Sequence, residues 1–230
     1  MSKNGKLYRE RLASLDRQSR YPLDEALTVL KAMPDCKFDE SVELALRLGV
    51  DPRQSDQVVR GAVALPQGTG KTVRVAVVAS GDAAQAAQDA GADEVGFEEL
   101  IDKIKDGWME FDVLIATPAA MQSLRSLGRV LGPRGLMPNP KTGTLTDDTE
   151  AAVKAAKAGQ VEFRADRGGC VHTAIGKKSF EASALRENIV AVVQAIQAAK
   201  PDGLKGSYML SATLSLTMSP GVRVDVRSLT

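Results

Sequence analysis

The chain has 230 residues, 43% of them hydrophobic and 26% charged, with a formal net charge of +1. Such a length and composition belong to a globular chain of one large or two small domains, and no apolar stretch approaches the ~20 residues of a membrane span. Two cysteines, Cys36 and Cys170, and the single His172 support neither a disulfide framework nor a zinc site, so no metal and no cofactor are expected. The basic run Met1-Ser2-Lys3-Asn4-Gly5-Lys6 has no apolar core after it, so no secretory signal is expected and the cytoplasm is the expected location.

In chain order, Leu23, Ala26, Leu27 and Leu30 recur at i, i+3, i+4 and i+7, which predicts a helix with Pro22 in its first turn and Pro34 past its end. Val42, Leu44, Leu46 and Leu48 then alternate with Glu43, Ala45 and Arg47, the pattern of a half-buried strand. A second strand is predicted over 58–65, and the short link favours an antiparallel pair with the first.

After Pro66-Gln67-Gly68-Thr69-Gly70 the pattern changes. Residues 73–79 form a near-continuous apolar run, as in a strand buried on both faces. Helices near 83–90, 98–105 and 119–127 are interleaved with strands at 94–96 and 111–116, which implies a small parallel sheet covered by helices. Asp147 with Glu150 three residues on predicts a capping box that opens a helix ending at Gly159.

From Val161 the antiparallel pattern returns, with Val161, Phe163 and Ala165, a turn at Asp166-Arg167-Gly168-Gly169, and a returning strand over 170–175. Leu185, Ile189, Val192, Val193 and Ile196 mark one stripe of a long helix that Pro201 follows. A last strand alternates Tyr208, Leu210, Ala212, Leu214 and Leu216 with Met209, Ser211, Thr213, Ser215 and Thr217. The expected fold class is therefore α/β. An α+β outer domain from both chain ends (1–67 and 160–230) is interrupted by an inserted Rossmann-like α/β domain (68–159). Pro66, Gly68, Gly70 and Gly159 are the expected hinge positions.

Charge follows the same division. Residues 68–159 hold ten Lys/Arg against thirteen Asp/Glu, and the rest of the chain holds twenty against sixteen. A polyanion should therefore meet the two chain ends.

Candidate nucleotide loops fail on order. Gly68-Thr69-Gly70-Lys71-Thr72 lacks the earlier glycine of a phosphate loop and precedes a strand where a helix N-terminus is needed. The inserted domain has no GxGxxG, and His172 has no nucleophile at a recognisable spacing, so no catalytic residue is assigned and no enzyme is expected. A nucleotide-dependent enzyme resting on the inserted domain is the main rival reading, and a protein-only scaffold in which the Gly/Pro-rich loop at 132–143 docks a partner is a third. The four hydroxyls Ser211, Thr213, Ser215 and Thr217 on one strand face suit phosphates, 2′-OH groups or base edges, and equally suit the polar face of a sheet. Phe38 could stack on a base or lie in the core. With only 4% aromatic residues the chain lacks the rings of a single-strand platform, so a folded RNA is the preferred partner.

The segment Gly132-Pro133-Arg134-Gly135-Leu136-Met137-Pro138-Asn139-Pro140-Lys141-Thr142-Gly143 cannot be helix or inner strand. Its apolar Leu136 and Met137 argue for a shaped loop. Read from residue 131 to 144, LGPRGLMPNPKTGT resembles the signature of the bacterial large-subunit ribosomal protein L-one family. Lys37-Phe38-Asp39-Glu40-Ser41-Val42-Glu43, Val161-Glu162-Phe163-Arg164-Ala165-Asp166 and Leu214-Ser215-Leu216-Thr217-Met218 resemble that family in the same order. The resemblance implies that the outer domain binds large-subunit ribosomal RNA through Lys37, Phe38, Glu40, Ser41, His172, Ser211, Thr217, Met218 and Ser219. Ser219 stands where many members carry glycine. The resemblance further implies a mobile stalk near the exit site, help in releasing deacylated exit-site tRNA, and repression of its own operon through messenger RNA. It also implies a ribosome-associated protein that is a monomer when free and has no membrane partner.

Overall fold

The computed structural model describes residues 5–54, 57–201, 203–204 and 206–229. In chain order come α1 (Lys6–Ala13), α2 (Leu23–Lys31), β1 (Ser41–Leu48), β2 (Arg60–Ala64), β3 (Val75–Val78), α3 (Asp82–Asp89), β4 (Glu94–Gly96), α4 (Glu98–Lys105) and β5 (Val113–Ala116). They are followed by α5 (Met121–Leu124), α6 (Gly128–Leu131), α7 (Thr149–Lys157), β6 (Gln160–Arg164), β7 (Cys170–Lys177), α8 (Ala182–Ala198), β8 (Met209–Leu216) and β9 (Val222–Val224). The chain forms two compact units, one from residues 1–70 and 161–230, the other from 71–160.

The unit made from both chain ends carries an antiparallel sheet in the order β7-β1-β8-β9. Alternation decides which face is dry. Val42, Leu44, Leu46, Val171, Ile175, Leu214, Leu216, Val222 and Val224 are buried with Leu27 and Leu30 of α2 and Leu185, Ile189, Val192 and Ile196 of α8 in one cluster. Helix α2 opens with Asp24 and Glu25 and closes with Lys31, charges that match the two ends of its dipole. Strand β2 does not join β1; it pairs with β6 in a separate two-stranded sheet. The antiparallel hairpin expected from the short link is therefore corrected: β1 is central and has both its edges filled, by β7 and β8.

The second unit is a parallel sheet in the order β4-β3-β5. Along β3, Ala76 and Val78 enter the cluster of Leu100, Ile104, Leu124 and Leu131, whereas Val75 and Val77 enter that of Ala87, Val153 and Ala156. Strand β3 thus has no wet face, which is why its sequence does not alternate. The helix expected over 119–127 is broken into α5, a 3-10 turn (Arg125–Leu127) and α6. The cap of α7 is Asp148, one residue later than expected; its side chain accepts the Ala151 N–H at 3.0 Å. None of the described helices is long and apolar enough to cross a membrane.

Candidate nucleic-acid interface

The loop between α2 and β1 is fixed from one side by α1, an element with no apolar stripe. Its Arg11 is fully buried. Nη1 donates to Oε1 of Glu40 at 2.9 Å and Nη2 to Oε2 at 2.5 Å, a two-pronged pairing. Nε donates to the Pro34 carbonyl at 3.0 Å, and Nη2 reaches the same oxygen and the Cys36 sulfur. The Arg11 hydrogen bonds, with the Met218 N–H as a further donor, hold the Glu40 carboxyl below the usual carboxylate range. The same pairing raises Arg11 above its ordinary value. Glu40 is 1% exposed, so it shapes this surface from beneath.

The turn that follows β7 braces the loop from the other side. Nζ of Lys178 pairs with Asp35 at 2.5 Å and donates to the Met33 carbonyl at 2.6 Å. Ser179 Oγ donates to Asp39 at 2.7 Å, Lys177 Nζ to Ser41 Oγ at 3.0 Å, and Lys31 Nζ to the Phe180 carbonyl at 2.6 Å. What the braces leave outside is the tip. Phe38 is 53% exposed, and Lys37 beside it is exposed and without an ion pair among the described residues. An open cleft of about 630 Å³ lies here, lined in part by Lys31, Lys37, Phe38 and Lys178.

The end of β8 meets this tip. Thr217 Oγ1 accepts the Ser41 N–H at 3.0 Å, which satisfies a donor at the end of the β1 ladder. The Met218 N–H donates to Glu40 Oε1 at 2.9 Å, and the Met218 side chain is 56% exposed. The Ser219 N–H closes a turn onto the Leu216 carbonyl, while its hydroxyl accepts the Leu216 N–H at 2.8 Å. The extra side chain at this position is thus turned back onto the strand end. Lys37, Phe38, Ser41, Thr217, Met218 and Ser219 are gathered at one end of the sheet, above Glu40.

Ser211 and His172 lie elsewhere, on the sheet face opposite the helices. The register places Ser211 opposite Arg47 and Cys170 beyond it, with Thr213, Ala45, His172 and Arg223 in the next row. Six residues of strand separate Ser211 from Thr217, about 20 Å at ~3.3 Å per residue. Arg47 and Arg223, both exposed, belong to no motif in the sequence. The alternation that places Arg47 on this face is nonetheless visible there.

Of the expected hinge positions, Pro66, Gly68 and Gly70 lie in the link between β2 and β3, and Gly159 stands between α7 and β6. Asn188, fully buried on α8, accepts the Gln67 N–H at 3.0 Å. Its Nδ2 donates to the Gly68 carbonyl at 2.9 Å and the Ile175 carbonyl at 2.8 Å. Pro66 to Gly68 are thereby tied to the outer unit. Gly70 has φ +69, and a Cβ there would stand 2.8 Å from the Phe180 ring. Gly159, with φ +95, follows the last turn of α7.

The sequence profile of the Ribosomal protein L1p/L10e family matches residues 30–220. The chain is 57% identical over 217 residues to the large ribosomal subunit protein uL1 of Methylobacillus flagellatus, with 94% of each chain aligned. It is 54% identical over 225 residues to that of Nitrosomonas eutropha, covering 98% of this chain and 97% of the relative. With that of Burkholderia mallei it shares 53% identity over 229 residues, 100% of this chain and 99% of the relative.

Proposed function

The chain belongs to the Ribosomal protein L1p/L10e family, and on that premise we propose that it is a structural constituent of the large ribosomal subunit, not an enzyme, and that its outer unit binds large-subunit ribosomal RNA. One observation carries the reading. Phe38 and Met218 are large apolar side chains, each more than half exposed, and both stand on backbone tied down by buried or braced partners. Exposed apolar groups on rigid, polar-rimmed backbone fit a partner that presents flat bases and riboses. Lys37 adds a cation beside them, and the Ser211–Thr217 face adds hydroxyls and, through Arg47 and Arg223, two further cations for phosphates.

The resemblance extends the proposal. The protein takes part in the mobile stalk beside the exit site, aids release of deacylated tRNA, and represses its own operon by binding a messenger RNA mimic of the ribosomal site. The rival nucleotide-enzyme reading draws on the Gly68–Thr72 segment, which leads into β3 and whose Lys71 pairs with Asp112 at 2.5 Å. A filter-binding titration with large-subunit ribosomal RNA fragments tests the proposal: saturable binding to one fragment, competed by the operon leader RNA, is expected. Equal affinity for every fragment would sink it.

A further inference from the structure

The inserted unit separates its charges along the chain. Residues 113–146 hold four cations, Arg125, Arg129, Arg134 and Lys141, and no Asp or Glu. The rest of the unit, 71–112 and 147–160, holds six Lys/Arg against thirteen Asp/Glu. A unit of formal charge −3 is therefore a +4 segment joined to a −7 remainder.

Pairing follows the same line. Each of those six cations meets a carboxylate: Lys71 and Arg74 pair with Asp112, Lys103 with Glu94, Lys105 with Asp102, Lys154 with Glu150 and Lys157 with Asp93. The four cations of 113–146 are all exposed and make no ion pair among the described residues. The cations that carry no internal partner are therefore those of a single excursion.

That excursion is rigid. It leaves β5 at Ala116 and returns beside it, where the Ala116 N–H donates to the Thr144 carbonyl at 3.0 Å and the Thr146 N–H to the Ala116 carbonyl at 3.2 Å. Leu124, Leu127 and Leu131 are buried, and Leu136 and Met137 pack on the same cluster. The Asn139 side chain caps the turn Pro140–Thr142, and the Thr142 and Thr144 hydroxyls bond each other at 2.9 Å. A ligand of these cations would find the backbone already ordered. The excursion contains no aromatic residue, so it offers no ring on which bases could stack. Three arginines and a lysine are instead suited to phosphate oxygens.

We propose that this excursion is a second RNA-binding surface, one that holds the phosphodiester backbone through Arg125, Arg129, Arg134 and Lys141 without reading base sequence. It rests on the reading that the chain works among RNA, and it gives the Gly/Pro-rich loop a role that the outer unit does not supply. Binding of this kind is electrostatic, so its signature is the dependence of affinity on salt.

The full chain carrying Arg125→Gln, Arg129→Gln, Arg134→Gln and Lys141→Gln tests it against poly(U) and against large-subunit ribosomal RNA. A second variant, Lys103→Gln, Lys105→Gln, Lys154→Gln and Lys157→Gln, removes the same charge from the same unit at paired positions. The first variant is expected to bind poly(U) about tenfold or more weakly near 50 mM salt. Its slope of log affinity against log salt should fall by up to about 3, at ~0.7 for each phosphate no longer neutralised. The second is expected to change both far less. Unchanged poly(U) affinity in the first variant overturns the proposal, as does an equal loss in both. So does a loss confined to phosphatidylserine vesicles, which would make the partner a lipid surface. If the unmodified protein shows no preference for ribosomal RNA over poly(U), the outer-unit reading fails and the poly(U) comparison still decides this one.

Discussion

The Met218 N–H donates to Oε1 of Glu40 at 2.9 Å across 178 positions of sequence, and the same carboxylate is held by Arg11 of α1. One buried anion thus fixes both halves of the exposed Phe38–Met218 surface. Its energetic status sets the first expectations.

Arg11→Met should destabilise the protein by about 3–5 kcal/mol, because it leaves the Glu40 charge buried without its cation. The double change Arg11→Met with Glu40→Met should recover much of that loss but not all. The Met218 N–H and the Pro34 carbonyl would remain unpaired. Urea unfolding of the three proteins measures this; a double variant no more stable than Arg11→Met alone would mean that the pair is not the source of the cost.

The pH dependence has a definite sign. Glu40 has a folded-state pKa below its ordinary value, chiefly through Arg11. Its contribution is fully present above the ordinary glutamate range and is lost as pH falls through the folded-state pKa, so stability should decline below about pH 4. Glu40→Gln should melt lower at neutral pH and show a shallower acid decline. At the alkaline end Tyr208, whose burial pushes its pKa up to about 12, holds its proton more tightly when folded. Stability should therefore fall as pH rises from about 10. Melting temperatures across both ranges check these signs.

Phe38→Ala and Met218→Ala should each weaken binding to the ribosomal RNA fragment by ~1–3 kcal/mol, roughly 5- to 150-fold, with melting changed little because both side chains are exposed. Thr217 differs. Its hydroxyl accepts the Ser41 N–H, so Thr217→Val should lower stability as well as affinity, whereas Thr217→Ser should preserve both. Equal behaviour of the Val and Ser variants would separate the hydroxyl from the effect.

Much of the fold is legible in the chain itself, and what is not legible shares a cause. The alternation of β1 and the apolar run of β3 are local signals, and both elements form. The partner of β2 is not local: nothing between 58 and 65 says that β6, a hundred residues later, is its neighbour. Helix α1 gives no signal because its sequence, KLYRERLA, shows no stripe; it is held through one arginine. Glu40 is expected to meet RNA on the resemblance alone, and its burial is not legible because a lone glutamate is rarely buried and its partner lies 29 positions away. The cap of α7 sits one residue late because Asp147 and Asp148 offer the same chemistry side by side.

Asn188→Ala should free the Pro66–Gly68 segment, at a cost of about 1–3 kcal/mol for the buried groups left unpaired. Gly70→Ala should destabilise more steeply than its exposure suggests, since the residue has φ +69 and its Cβ would meet Phe180. Hydrogen exchange at Gln67 and Gly68 should rise sharply in the first variant. Unchanged protection there would show that Asn188 does not hold the segment.

A chain of residues 5–70 joined by a short Gly/Ser linker to 161–229 should fold alone and keep its preference for the ribosomal RNA fragment. It should show a smaller salt slope than the full chain, because it lacks Arg125, Arg129, Arg134 and Lys141. Binding of the fragment by residues 71–160, with none by the joined ends, would reverse the assignment of the two units.

Strand β1 waits. Its neighbours in the sheet are β7 and β8, so during synthesis the N-terminal segment leaves the ribosome with neither of its edge partners yet made. Residues 71–160 hold all the strands of their own sheet and can settle while the remainder is still being translated. The surface at Phe38 and Met218 cannot form until β8 has been made, because Met218 follows that strand. A chain interrupted between residues 160 and 209 would present a finished inserted unit and no Phe38–Met218 surface.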